Sequence, residues 1–218
     1  MKYKYAVELD KRTYWEYYIS LLRTKHPIIF TFFPIKDFNI LINKLCIFFF
    51  SFSIDFALNT ILFDYKAIHI IYENEGSYNV SSFLPQIIIS FFISYYITII
   101  IKFLVLSERD ILIIKNEKSI KQAINKVSKV ERCIIIRNIL YFIISIILIM
   151  LFWYYLSGFC AVYQNSQVHL MKNILISFVL GLIYPLFINL FPGILRKIAL
   201  NGNNKECMYK TSVVIQLL

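Results

Sequence analysis

Asp55 sits in the middle of FFFSFSIDFALNTILF, residues 48–63, with Ser51 four residues before it and Asn59 four after. Residues four apart share a helix face, so a hydroxyl, a carboxylate and a carboxamide line up in a segment otherwise fit for hydrocarbon. A central Asp costs roughly 3 kcal/mol on the membrane-insertion scale, and each Leu, Ile or Phe returns about 0.5 kcal/mol at best. Twelve such residues lie between 45 and 63, so the segment inserts despite its carboxylate. Two kinds of chemistry suit such a group: a hydrogen-bonded lock between helices, or a path for an ion or proton.

Other chemistry-bearing residues are sparser. His69 and Glu73 in AIHIIYE could share a metal on one helix face, but no third ligand is evident, so an ordinary exposed loop and no metal site are expected. Cys160 and His169 receive the same discount. The four cysteines, at 46, 133, 160 and 207, form no CxxC pair, which removes zinc and thioredoxin-type readings. Asn79-Val80-Ser81 is the only N-x-[ST] sequon and lies too near an apolar run for efficient glycosylation. There is no GxSxG, HExxH, GxGxxG or P-loop. A non-enzymatic protein without cofactors is expected.

The elements that position Asp55 follow from composition. Of 218 residues, 59% are hydrophobic and 17% charged, against about 45–50% and 25% in soluble domains; mean hydropathy is +0.65. By length, one domain is the natural expectation. Four runs reach the ~20 apolar residues of a membrane span: 45–63, 83–106, 138–162 and 173–195. None alternates like a barrel strand, which leaves helices as the way to satisfy the backbone in lipid. The fold class expected is all-α: a four-helix transmembrane bundle over 45–195, preceded by a segment 1–44 and followed by a basic tail 196–218.

The net charge of +10 could suggest nucleic acid, but the charges alternate with the spans and build no continuous stripe. Twenty-one Lys and Arg fall on one side of the four spans and two on the other. The positive-inside rule then puts both termini in the cytosol. The first residues, MKYKYAVELDKR, contain no apolar signal-peptide core. In 10–34, Tyr14, Trp15, Tyr18, Leu21 and Leu22 share one helix side, as in a helix lying at the inner interface. Asp37 is expected to cap the first span. In 107–137, Ile120, Ala123, Ile124, Val127, Val130 and Ile134 form a helical stripe, so spans two and three should continue into a cytosolic hairpin. Its basic residues Lys115, Lys118, Lys121, Lys126, Lys129 and Arg132 enforce topology and offer contacts to anionic inner-leaflet lipids.

Each span carries a polar or small-residue stripe: Gln86, Ser90, Ser94, Thr98 and Lys102 in the second, Tyr141 and Ser145 in the third, Ser177, Gly181, Pro185 and Asn189 in the fourth. Such stripes face a bundle interior. Asp55 lies about 15 Å above Leu45 at 1.5 Å per residue. That depth excludes Lys102 and Arg137 as partners and selects Ser94, Tyr95, Ser145 and Tyr184. Pro185 cannot bond the carbonyl of Gly181, so these two mark an expected helix kink.

Three strings, DKRTYWEYYISLLRTKHPIIFTFF at 10–33, FWYYLSGFCAVYQNSQVHL at 152–170 and LIYPLFINLFPGILR at 182–196, resemble the carboxyl-terminal multi-pass region of large uncharacterised transmembrane proteins of ciliates and other protists. In that pattern a Cys often stands where this chain has Gly158. The resemblance implies a terminal domain, or a truncated relative, of a larger surface protein; it gives no residue a role. The expected function is an anchor or assembly subunit of a membrane complex, bound to lipid and to other subunits or copies of itself. The competing expectation is an ion-conducting component that uses the Asp55 cluster.

Overall fold

A computed structural model describes residues 10–33, 37–63, 65–73, 76–77, 79–115, 117, 119–200 and 206–217, all helices and connections with no strand among them. Four helices are long and apolar enough to cross a membrane. The contacts divide the chain into two compact units, 36–180 and 1–35 with 181–218. Each is built by its own chemistry.

In the larger unit, α3 (Leu41–Leu62), α5 (Val80–Val105) and α7 (Ile120–Val162) pack together, and the first half of α8 (Gln167–Ile188) joins them through Leu170, Ile174, Ser177 and Phe178. The helix of the first span begins four residues before the apolar run at 45 but three residues later than a cap at Asp37 would place it. Ile40 is its N-cap and makes no side-chain cap bond, so Asp37 does not cap it. The Asp37 carboxylate instead accepts from Nζ of buried Lys44, at 2.9 Å to Oδ1, and from Asn39 Nδ2 at 2.9 Å. A buried ammonium is a stronger claimant than backbone amides on a carboxylate. Asn39 in turn caps α6 (Glu108–Lys115): its Oδ1 accepts from the backbone N–H groups of Ser107 and Glu108, both at 3.1 Å. Arg137 Nη2 donates to Asp110 Oδ2 at 2.8 Å and ties α6 to α7.

Beyond the opposite end of α3, α4 (Tyr65–Glu73) buries Ala67, Ile68 and Ile71 against Phe63, Phe83, Ile87, Phe159, Leu170 and Ile174. Phe63 stacks on Phe83 and meets Phe159 edge-on, with ring centres 5.8 and 5.7 Å apart. Burial of such rings supplies both area and aromatic geometry. α7 is different. Only 6% of its most apolar stretch is buried, against 39% for that of α3. Of its helical stripe, Ile120, Ile124 and Val127 are exposed, and Ala123, Val130 and Ile134 are half-buried.

In the smaller unit, α1 (Tyr14–Lys25) opens with a capping box. The Glu16 N–H donates to Thr13 Oγ1, and the Thr13 N–H donates to the Glu16 carboxylate at 2.7 Å. Those bonds favour the charged form of Glu16 and hold its pKa below the usual value. α1 ends at His26, whose Nδ1 then accepts from Ile29 N and caps α2 (Pro27–Phe32), with Pro27 at the first turn, where its missing N–H costs nothing. α8 runs on through Gly181 and Pro185, and the interruption comes at Asn189, before α9 (Leu190–Leu200) and α10 (Glu206–Leu217). Asn189 Nδ2 donates to the carbonyl of Pro185 at 2.6 Å. Tyr18 Oη donates to Leu186 O at 2.9 Å, and a Cβ on Gly193 would lie 2.8 Å from the Tyr14 ring. Only glycine lets that ring approach so closely.

Asp10 joins the chain ends of this unit. Its carboxylate accepts from Arg12 Nε at 2.8 Å and Nη2 at 3.0 Å, and from Arg196 Nε at 2.8 Å and Nη2. Arg196 is buried with its guanidinium over the rings of Tyr17 and Tyr209, at 4.7 and 5.2 Å. Hydrogen bonds from Arg12, opposed by burial and reinforced by the bonds and charge of Arg196, hold the Asp10 carboxyl well below the usual carboxylate range.

Candidate functional site

Asp55 is buried, and so are Asn59 and Ser90 beside it. Helical spacing places the Asn59 carboxamide one turn beyond Asp55. Its Nδ2 donates to the Asp55 carbonyl at 2.9 Å and to Oδ1 at 3.3 Å. From α8, Ser177 Oγ donates to the same Oδ1 at 2.7 Å. From α5, Ser90 Oγ donates to Asn59 Oδ1 at 3.0 Å and Gln86 Nε2 to the Asn59 carbonyl at 3.3 Å. One turn toward the start of α3, the hydroxyls of Ser51 and Thr98 meet at 2.6 Å, and Thr98 donates to the Ser94 carbonyl at 2.8 Å. Three helices are therefore joined by side chains that would be costly to leave unpaired in hydrocarbon.

The cluster is saturated except at one atom. Asp55 Oδ2 is buried with no hydrogen-bond partner among the described residues. A carboxylate oxygen so placed can take a proton or a small cation. No group of three His, Cys, Asp or Glu residues suited to a metal ion occurs among the described residues.

The stripe on α3 faces the interior as its spacing predicts, but its partners come from other positions than depth suggested. Ser94 is buried one turn from Ser90 and reaches the cluster only through its carbonyl. Tyr95 is half-buried, its ring 6.0 Å from that of Phe91. Ser145 is buried on α7 and lines, with Tyr141, Ala57, Ile97 and Leu148, a separate apolar cavity of about 490 Å³. Tyr184, Gly181 and Pro185 belong to the smaller unit. Ser177, Ser90 and Gln86 hold the cluster instead. All three lie on stripes the spacing singles out; choosing among members of one stripe requires the axial offset between helices, which no local pattern encodes.

Arg137 is engaged by Asp110 and by the Leu106 carbonyl at 3.2 Å, away from the cluster as depth predicts. On the basic segment, Lys115, Lys121, Lys126, Lys129 and Arg132 are exposed. Lys126 pairs with Glu117, Lys115 lies over the Phe38 ring at 5.4 Å, and Lys118 lies outside the described residues.

His69 and Glu73 fall on α4 as an exposed pair, Nδ1 to Oε1 at 3.3 Å. His169 Nε2 bonds the Gly76 carbonyl at 3.1 Å, and all four cysteines are free. Asn79 caps α5, its Oδ1 accepting from Ser81 N at 3.1 Å and Ser81 Oγ at 2.6 Å. The sequon thus abuts a membrane-length helix with both its polar side chains engaged. Expression in a glycosylating host should give the same electrophoretic mobility for wild type and Asn79→Gln; a glycosidase-sensitive shift in the wild type alone contradicts this.

No family model, no curated protein and no solved structure matches the chain, so no role comes to these residues from another protein.

Proposed function

We propose that the chain is a non-enzymatic multi-pass membrane domain that serves as anchor or assembly subunit of a membrane complex. In this reading both termini and the α6–α7 hairpin are cytosolic, α1 lies at the inner interface, and the exposed lysines of the hairpin meet anionic lipids. The domain belongs to, or descends from, a larger surface protein of the kind its sequence resembles. The observation that carries the proposal is the uncovered apolar length of α7, of whose most apolar stretch only 6% is buried. A helix this bare in its own fold offers a long face to lipid or to the span of another subunit. The bonds on Asp55 Oδ1 and Asn59 favour packing as the work of the cluster.

A second reading, an ion-conducting component, rests on the unpartnered Asp55 Oδ2. One substitution separates the two. In the anchor reading, Asp55→Asn keeps its hydrogen bonds, alters stability by less than about 1 kcal/mol, and leaves cation and proton flux in liposomes at the empty-vesicle level. Flux in the wild type that disappears in Asp55→Asn at normal expression establishes the conductor instead. A photo-crosslinking residue at Leu151, which is exposed on α7, should capture a membrane-protein segment; capture of lipid alone removes the assembly role.

A further inference from the structure

The charges around Asp10 exceed what a structural clamp requires. A single carboxylate is satisfied by one arginine fork, yet Arg12 and Arg196 both bind this one. Beside the pair lies a recess of about 180 Å³, lined by Asp10, Lys11, Arg12, Arg196 and Lys197 together with Thr13 and neighbouring side chains. Among the described residues, four cations there face one carboxylate. Glu16, outside the lining, also acts on Arg12 through space, which among those residues still leaves two positive charges in excess. Arg196 cannot move away to water, since it is buried between two tyrosine rings. Such a concentration of fixed positive charge around a polar hollow is an anion site.

The surroundings say which anion. The same unit exposes Trp15, Ile19, Phe32 and Phe33 on α1 and at the end of α2. An aromatic and aliphatic edge of this kind suits the headgroup level of a bilayer. We propose that the recess binds the phosphate of an anionic lipid headgroup, with Lys11 and Lys197 closing on it as point charges and the Nη1 groups of Arg12 and Arg196, which Asp10 leaves free, adding donors behind them. The site is distinct from the lysines of α7, and it does not depend on which complex the domain anchors or on whether Asp55 conducts.

The test uses the full chain in phosphatidylcholine nanodiscs, with and without phosphatidic acid as the phosphate-bearing probe, read by native mass spectrometry. The double variant Lys11→Gln/Lys197→Gln alters exposed side chains only and should keep the wild-type melting temperature. Its retention of phosphatidic acid should fall about tenfold or more, since each lysine near an anionic lipid is worth about 1 kcal/mol. A control, Lys66→Gln/Lys210→Gln, alters two exposed lysines that do not line the recess and should lose less than about twofold. Equal retention by wild type and the Lys11/Lys197 variant, or equal losses in both double variants, overturns the proposal. Inorganic phosphate is the competing probe: if it displaces the lipid at equal concentration, the site takes free phosphate and the lipid assignment fails.

Discussion

Arg196→Ala should destabilise the protein by about 3 kcal/mol, the low end of the range for removing one partner of a buried ion pair. The Asp10 side chain is 5% exposed and that of Arg196 9%. Truncation leaves a buried carboxylate that only Arg12 can still reach, and Arg12 is half exposed. It also removes the cation from between Tyr17 and Tyr209, which keep their cost of burial without the attraction. Thermal melting in detergent measures the loss, and faster trypsin cleavage after Lys11 and Arg12 reports it locally. The double variant Asp10→Asn/Arg196→Met should recover more than half of the loss, because a neutral pair of similar volume leaves no charge stranded. A loss under about 1 kcal/mol in the single variant would show that the pair is a surface contact.

The effect of Arg196 should depend on pH in a fixed direction. Asp10 is held below the usual carboxylate range, so its pairing stabilises the fold at pH values above the unfolded pKa of about 3.9. That contribution is lost as pH falls through the folded value. The gap between wild type and Arg196→Ala should therefore be full at neutral pH and narrow in acid. A gap that widens on acidification contradicts the assignment.

The regular part of this fold is legible from sequence because its apolar runs are long, unbroken and free of strand alternation. Runs of that kind read as helices, and the four appear where the runs are, with α3 starting at Leu41, α5 at Val80, and α7 extending back to Ile120. The inward face of α3 is legible too, since Ser51, Asp55 and Asn59 repeat at helical spacing. Two things are not. Ser177 and Ser90 meet this face because of the axial offset between helices, and counting residues from span ends that are themselves off by several positions cannot recover it. The Asp10–Arg196 pair spans 186 positions, and neither residue departs from its local pattern: Asp10 reads as a preface to α1 and Arg196 as a topology charge. Asp37 shows a third limit. It has the residue type and position of an N-cap, but Lys44, seven residues on, competes for it.

Asn59→Leu tests whether the buried cluster is a lock. Leu keeps the forked four-atom shape of Asn with bulkier ends, so the change removes three hydrogen bonds and no packing. Afterwards Ser177 still donates to Asp55 Oδ1, and Ser90 keeps its bond to the Ile87 carbonyl at 2.9 Å. No donor is stranded, so the cost should be about 1–2 kcal/mol, near the upper end for single polar contacts between membrane helices. Unfolding in mixed micelles, followed by helix signal and proteolysis, measures it. The sharper quantity is the coupling with Asp55. Asp55→Leu alone removes an oxygen that has no partner, which offsets the loss of its bond to Ser177. If the two residues form one device, the double variant should cost about 1 kcal/mol less than the sum of the singles. Additive losses would mean that Asn59 joins α3 to α5 without help from Asp55. The carboxylate would then need another reason to be buried, and its unpartnered oxygen would make ion or proton passage the stronger reading.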